Sequence, residues 1–263
     1  MSGVVITITS GKGGVGKTTT TANLGVGLAT LGKRVVVIDA DIGLRNLDML
    51  MGLENRIVYD LVDVVEGRCC LRQALIRDKR LSELHLMPAA QTRDKSAVSP
   101  EQMVEVCNQL RPAVDFVLID SPAGIEQGFR NAVAPADRII IVTTPEVSAV
   151  RDADRIVGLI EADGKGPARL IINRLNMDMV RRGQMLSQED VIEILAIELL
   201  GLVPEDKQVV ISTNQGVPVA LNGKSISGQA CRHSSSRNLG QDVPLMSLQP
   251  RGMLGRLSRI VRG

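Results

Sequence analysis

The chain is nearly devoid of aromatic rings: among 263 residues there are only Tyr59, Phe116 and Phe129, and no tryptophan. Single-stranded nucleic acid is held by stacking its bases on such rings, which argues against that kind of platform. Cysteine is scarce and poorly placed. Cys69, Cys70, Cys107 and Cys231 form no C-x-x-C or Cys/His spacing, and the adjacent pair suits neither zinc nor an easy disulfide. They read as free thiols in a reducing compartment. No apolar run approaches the roughly 18 residues a spanning helix needs, and no secretory leader precedes the first hydrophobic run, VVITIT, at Val4. These absences predict a cytoplasmic or peripheral protein.

What is present is ordinary in bulk and uneven in detail. With 44% hydrophobic and 23% charged residues the composition is that of a globular domain. Net charge is only +2, yet residues 232–263 hold six arginines against Asp242 alone, leaving a mildly acidic body before them. A basic tail on such a body points to an anionic partner, whether a membrane, a nucleic acid or an acidic protein.

Short β-branched runs alternate with helical patterns. Strands are expected at 4–9, 34–39, 84–87, 115–120, 138–143 and 168–173, with 199–203 as a further candidate. Their near-continuous hydrophobicity suits strands buried on both faces of a parallel sheet. Helices are expected at 17–31, closed by Gly32, at 101–111 after Ser99-Pro100, and from Ser187, where Ser187 and Asp190 make a capping box. The alternation predicts one α/β domain, a doubly wound and mostly parallel sheet, over residues 1–221. Residues 222–251 are rich in Ser, Gly, Asn and Gln and read as a poorly packed helix and a polar tether, with the final segment at 252–263.

The strongest local signal follows the first strand. Gly11-Lys12-Gly13-Gly14-Val15-Gly16-Lys17-Thr18 satisfies G-x-x-x-x-G-K-[ST] between a strand and a helix. Glycines let backbone N–H groups crowd around phosphate oxygens, and the helix N-terminus adds partial positive charge. Lys17 is expected on the β- and γ-phosphates of a nucleotide and the Thr18 hydroxyl on Mg²⁺. NGKS at 222–225 is no second copy, because Pro218 stands where its leading glycine should be. Asp120 closes DFVLID in the manner of a Walker B carboxylate, and Asp39 and Asp41 follow another buried strand. Lys12 is surplus to an ordinary phosphate loop. It is either a solvated charge or a cation for phosphate on its own or a partner's nucleotide.

With its extra lysine, KGGVGKTT at 12–19 resembles the deviant Walker A ATPases of the ParA/MinD family. VIDADIGLRNLDMLMGLENRIVYDLVDV at 37–64, IDSPAGIEQG at 119–128, TTPEVSAVRDADR at 143–155 and LVPEDKQVV at 202–210 resemble segments of its septum-site branch. The resemblance implies an ATPase that forms a homodimer with ATP, Lys12 reaching across to the partner's phosphates. It implies that Asp41 positions the attacking water, that Asp39 and Asp120 surround Mg²⁺, and that Gly124 senses the γ-phosphate. Thr19 completes the loop, Glu146 lies near the nucleotide in the dimer, and Asn173, Arg174, Pro204 and Asp206 fall where the family contacts adenine. A MinC-like division inhibitor and a MinE-like stimulator of hydrolysis are the implied protein partners.

The final segment, GMLGRLSRIVRG, is amphipathic. At about 100° per residue Met253, Leu254, Leu257, Ile260 and Val261 share an arc of about 120°, with Arg256, Arg259 and Arg262 on the remainder. Basic residues beside an oily stripe fit the surface of an anionic membrane, on the inner face of the cell membrane. So short a helix attaches weakly, and two on one dimer bind as a pair. DNA contact does not need the stripe, so no nucleic acid is expected, although a DNA-partition ATPase and a nucleotide-gated scaffold stand as alternatives.

Overall fold

The structure is a computed structural model and describes residues 2–246, apart from the side chain of Lys95. Eight strands form one sheet: β1 (Val4–Thr9), β2 (Val35–Asp39), β3 (Ile76–Arg77), β4 (Leu84–Met87), β5 (Phe116–Asp120), β6 (Arg138–Thr143), β7 (Arg169–Leu175) and β8 (Glu198–Pro204). Eleven α-helices are found among the described residues. They are α1 (Lys17–Thr30), α2 (Leu47–Met51), α3 (Leu61–Val65), α4 (Leu71–Ala74), α5 (Pro100–Leu110), α6 (Gln127–Val133), α7 (Val147–Ala162), α8 (Met177–Arg181), α9 (Gln188–Leu195), α10 (Lys207–Asn214) and α11 (Ile226–Asn238).

The strand order is β3-β4-β2-β5-β1-β6-β7-β8, and every pairing is parallel except β3 with β4. All seven expected strands are present within about two residues of their expected bounds. β3 was not expected; it spans two residues, too few to carry a period. Alternate strand residues feed opposite layers, as a pleat requires. Ile6, Ile8, Val35, Val37 and Leu118 pack against α1, whereas Val5, Val36, Ile38, Val117 and Ile119 pack with Met103, Val106, Cys107 and Leu110 of α5. The four residues of β4 and the five of β5 are almost entirely buried, which is why these strands read as continuous apolar runs.

Local chemistry sets the helix ends. Ser99 and Gln102 close a capping box at α5, with Pro100 at its first position, and Ser187 and Asp190 do the same at α9. Gly32 ends α1 at φ +75°, a left-handed conformation that glycine adopts without strain.

The expectation of a poorly packed helix after residue 222 is corrected by α11. Ser227, Gly228, Ala230, Cys231, Ser234, Ser235 and Asn238 are buried against α1 and β8. A Cβ added at Gly27 of α1 would lie 2.2 Å from Ser235 Oγ, and one at Gly201 of β8 would lie 2.2 Å from Ser234 Oγ. The serines are small enough for backbones to approach closely, and their hydroxyls are satisfied locally. Ser234 Oγ donates to the Ala230 carbonyl at 2.9 Å and Ser235 Oγ to that of Cys231 at 3.1 Å. Among the described residues no helix is long and apolar enough to cross a membrane. The 252–263 segment lies outside the described residues.

Candidate nucleotide site

The site sits at the C-terminal ends of the central strands, where the sheet order reverses on either side of β1 and an open α/β sheet leaves a crevice. The loop from Ser10 to Gly16 joins β1 to α1 there. Gly16 has φ +97° and precedes α1, whose first turn carries no side-chain cap. The leading N–H groups of α1 are therefore open to an anion. A Cβ at Gly16 would stand 2.2 Å from Asn173 Nδ2, and one at Gly11 would stand 2.2 Å from the Asp152 carbonyl oxygen, whereas at Gly13 and Gly14 it would meet nothing within 4 Å. Two glycines thus permit close packing under the loop, and two leave its upper face clear. Asn173 Nδ2 donates to the Val15 carbonyl at 2.8 Å, tying β7 to the loop.

Beneath the loop the acids converge. Asp39 and Asp120 are direct register partners on β2 and β5, and both are about 1% exposed. Asp39 accepts N–H bonds from Asp41 (3.0 Å), Asn46 (3.2 Å) and Leu47 (3.1 Å). Burial, then the Asp120 charge, nevertheless push its carboxyl up to about 7. Burial likewise raises Asp120, opposed by Lys17, whose Nζ lies 4.0 Å from Oδ1, and by the hydroxyls of Thr18 and Thr21. Thr21 Oγ1 donates to the same oxygen at 3.2 Å. Asp41 is close enough to raise both carboxyls. Two buried carboxylates with one ammonium at 4.0 Å are short of positive charge, and hard oxygen donors of this kind suit a divalent cation. The clear loop and the open helix N-terminus suit polyphosphate. The residues present therefore fit both groups.

Other sequence-designated residues surround this core. Lys12 Nζ donates to Ser148 Oγ at 3.0 Å and pairs with Glu146 at 3.6 Å, both at the start of α7, and remains well exposed. Gly124 has φ +91° and its N–H donates to the Ser10 carbonyl at 3.3 Å, which fastens the turn after β5 to the loop. Arg174, at φ +57°, lines an 840 Å³ groove with Thr144, Pro145, Glu146, Met185 and Glu205. Pro204 ends β8, and its carbonyl accepts from Ser227 Oγ at 2.9 Å. Asp206 is not brought to the loop by any contact. Its carboxylate caps α10 through Gln208 N–H and accepts from Ser225 Oγ at 2.7 Å and Ser227 N–H at 3.3 Å. Sequence reasoning passed over Thr21, whose spacing of four from Lys17 puts both on one helix face, and Ser148, which has no sequence signal linking it to Lys12.

Residues 6–219 match the family described as CobQ/CobB/MinD/ParA nucleotide binding domain. The septum site-determining protein MinD of Synechocystis sp. is 53% identical over 262 residues, covering 98% of both chains. The chain belongs to the MinD/ParA family. Among solved structures, the MinD-family chain is similar to one from the MinC:MinD cell division protein complex of Aquifex aeolicus. Their TM-score is 0.87 at 49% identity, covering 93% of this chain and 99% of that one. It is also similar to septum site-determining MinD complexed with Mg-ADP from Pyrococcus horikoshii, with TM-score 0.81 at 28% identity, covering 91% and 99%.

Proposed function

We propose that this MinD-family protein is a Mg²⁺-dependent ATPase that dimerises with ATP, binds membrane reversibly and positions the division septum. The observation that carries the reading is the buried Asp39–Asp120 pair beneath a clear phosphate loop, with Lys17 between the two features. Thr18, Asp39 and Asp120 would hold Mg²⁺, which supplies charge neutralisation for the β- and γ-phosphates. Loop N–H groups of residues 11–19 and the Lys17 ammonium bind the phosphates and stabilise charge that develops on them. Asp41 orients the attacking water. Gly124, fastened to Ser10, reports on the γ-phosphate position through its backbone, in the manner of a switch loop. Asn173 and Arg174 flank the base, with Pro204 and Asp206 behind them.

Lys12 is exposed and only loosely held by Glu146 and Ser148, so it is free to reach a second copy's phosphates across the same face. Each protomer then completes the other's site, and hydrolysis follows dimerisation. The similarity to a chain solved as a MinC:MinD complex supports recruitment of a MinC-like inhibitor, with a MinE-like protein stimulating turnover. Anchorage comes from the 252–263 segment, placing the dimer at the cytoplasmic face of the cell membrane.

The test is co-sedimentation with anionic vesicles under ATP, ADP and no nucleotide, beside phosphate release, for the full chain and a chain ending at Gly252. Pelleting that needs both ATP and the last residues supports the reading. Equal pelleting in all three states refutes the gated anchor, and ATP-dependent retention on nonspecific duplex DNA instead supports a partition ATPase.

A further inference from the structure

At the opposite end of the sheet a second cavity, of 540 Å³, is bounded by the first residues of five strands, including Val4, Phe116, Arg138, Arg169 and Glu198, and by the end of α11 from Arg237 to Gly240. Three guanidiniums converge there. Arg138 donates to the Asn238 carbonyl at 3.4 Å, Arg169 to Asn238 Oδ1, and Arg237 to the carbonyls of Leu200 (2.6 Å) and Val243 (3.2 Å). Each therefore spends only one or two of its five N–H donors on described protein atoms.

Among the described residues none of the three comes within 4.0 Å of a carboxylate, and residues 247–263 contain no Asp or Glu. The two acids in the lining do not balance them. Asp137 is consumed by a bidentate pair with Arg111 at 2.6 and 3.0 Å, leaving Glu198 alone. Arg169 and Arg237 are half-buried, and burial holds both below the usual guanidinium range; at Arg169 the Glu198 charge opposes this in part and Arg138 adds to it. Three guanidiniums, two of them partly desolvated, facing one unpaired carboxylate are short of negative charge, and a multivalent oxyanion would relieve them.

We propose that this cavity is a phosphate-binding site, separate from the nucleotide site, whose occupant is the headgroup phosphate of an anionic phospholipid. Guanidinium forks match phosphate oxygens bidentately, so the chemistry selects phosphate or a phosphate ester over a simple halide. Position selects the source. The rim residues Leu239 and Gly240 lead directly into residues 241–246 and on to the basic terminal segment, and Arg237 grips that exit at Val243. A chain attached to a bilayer by that segment keeps this rim within a short tether's reach of the headgroups. The choice of lipid over free phosphate rests on the membrane reading above; the site itself does not.

The experiment uses the full chain saturated with Mg-ADP, so that the phosphate loop is filled, titrated with inorganic phosphate by calorimetry. The expected result is one saturable site per chain, weakened at least tenfold in the double variant Arg138→Gln/Arg169→Gln and tightened in Glu198→Gln, which removes the competing carboxylate. Absence of a saturable site overturns the proposal, as does an unchanged affinity in either variant, so a poorly folding double variant leaves Glu198→Gln to decide. A second arm measures ATP-dependent retention on phosphatidylglycerol/phosphatidylcholine vesicles against phosphatidylcholine alone. Retention should fall about fivefold per arginine lost near an anionic surface, with the terminal segment intact and ATP turnover in solution unchanged. Phosphate affinity lost with vesicle retention unchanged overturns the lipid assignment and leaves free phosphate as the ligand.

Discussion

The buried carboxylate pair makes the nucleotide-free protein less stable as pH rises, through Asp39. Its carboxyl lies near 7 in the folded chain and near 3.8 when exposed. Between those values the folded state binds the proton and the unfolded state does not, so folding stability falls as pH increases through the window. At about 1.36 kcal/mol per unit the full penalty above pH 8 is about 4 kcal/mol, and it vanishes below pH 4. Urea unfolding of the nucleotide-free protein at pH 5 and pH 8 should show a loss of about 2–4 kcal/mol attributable to this group.

Asp39→Asn is the comparison. The amide accepts fewer of the N–H bonds from Asp41, Asn46 and Leu47, which shifts its stability by a pH-independent amount, while the slope across the window shrinks to the part that the buried Asp120 still contributes. His85 and His233 are depressed by burial and contribute the opposite slope, more stability as pH rises towards 6.5. They do so in both proteins, so the difference between the two curves reports the carboxylate pair, Asp39 directly and Asp120 through the loss of its neighbour's charge. Mg-ADP should flatten the wild-type curve, because bound cation offsets the repulsion. Identical slopes in wild type and Asp39→Asn, or a wild-type advantage that grows with pH, refute the reasoning.

Lys17→Ala removes the ammonium 4.0 Å from Asp120 and should weaken ADP binding about 10–100-fold, read by titration with a fluorescent nucleotide. Lys12→Ala should leave folding stability within about 1 kcal/mol, since its ion pair is exposed, while reducing ATP turnover by more than about a hundredfold. Phosphate release and urea unfolding on the same sample check both halves. Gly27→Ala drives a methyl to within 2.2 Å of Ser235 Oγ and should destabilise by about 1–3 kcal/mol in urea, with Ser235→Gly recovering part of the loss in that background.

The sequence made legible those features whose physics is local or strictly periodic. The phosphate loop is a spacing of residues 11–18 in strand–loop–helix context, and the acids Asp39 and Asp120 end apolar runs, so both were found. That they are register partners was not, because register is fixed by two strands far apart in the chain. β3 has no period to show. Ser234 and Ser235 fall in a stretch that reads as poorly packed because periodicity counts oily residues, whereas this contact depends on small ones set opposite Gly27 and Gly201. Asp206 carries, beside the base contact that the resemblance implies, a helix-cap role that the sequence shows locally as an aspartate two residues before Gln208.

The way α11 is held has a calorimetric consequence. A helix that buries Ser227, Gly228, Ser234 and Ser235 beside only Ala230 and Cys231 removes less hydrocarbon from water than an oily one, so close-range dispersion contacts carry more of its attachment and it contributes less to the heat capacity of unfolding. Oily interfaces loosen as water is cooled; this one should do so less. The seat of α11 on α1 and β8 should therefore hold its geometry over a wider span of temperature than the apolar layers around the sheet.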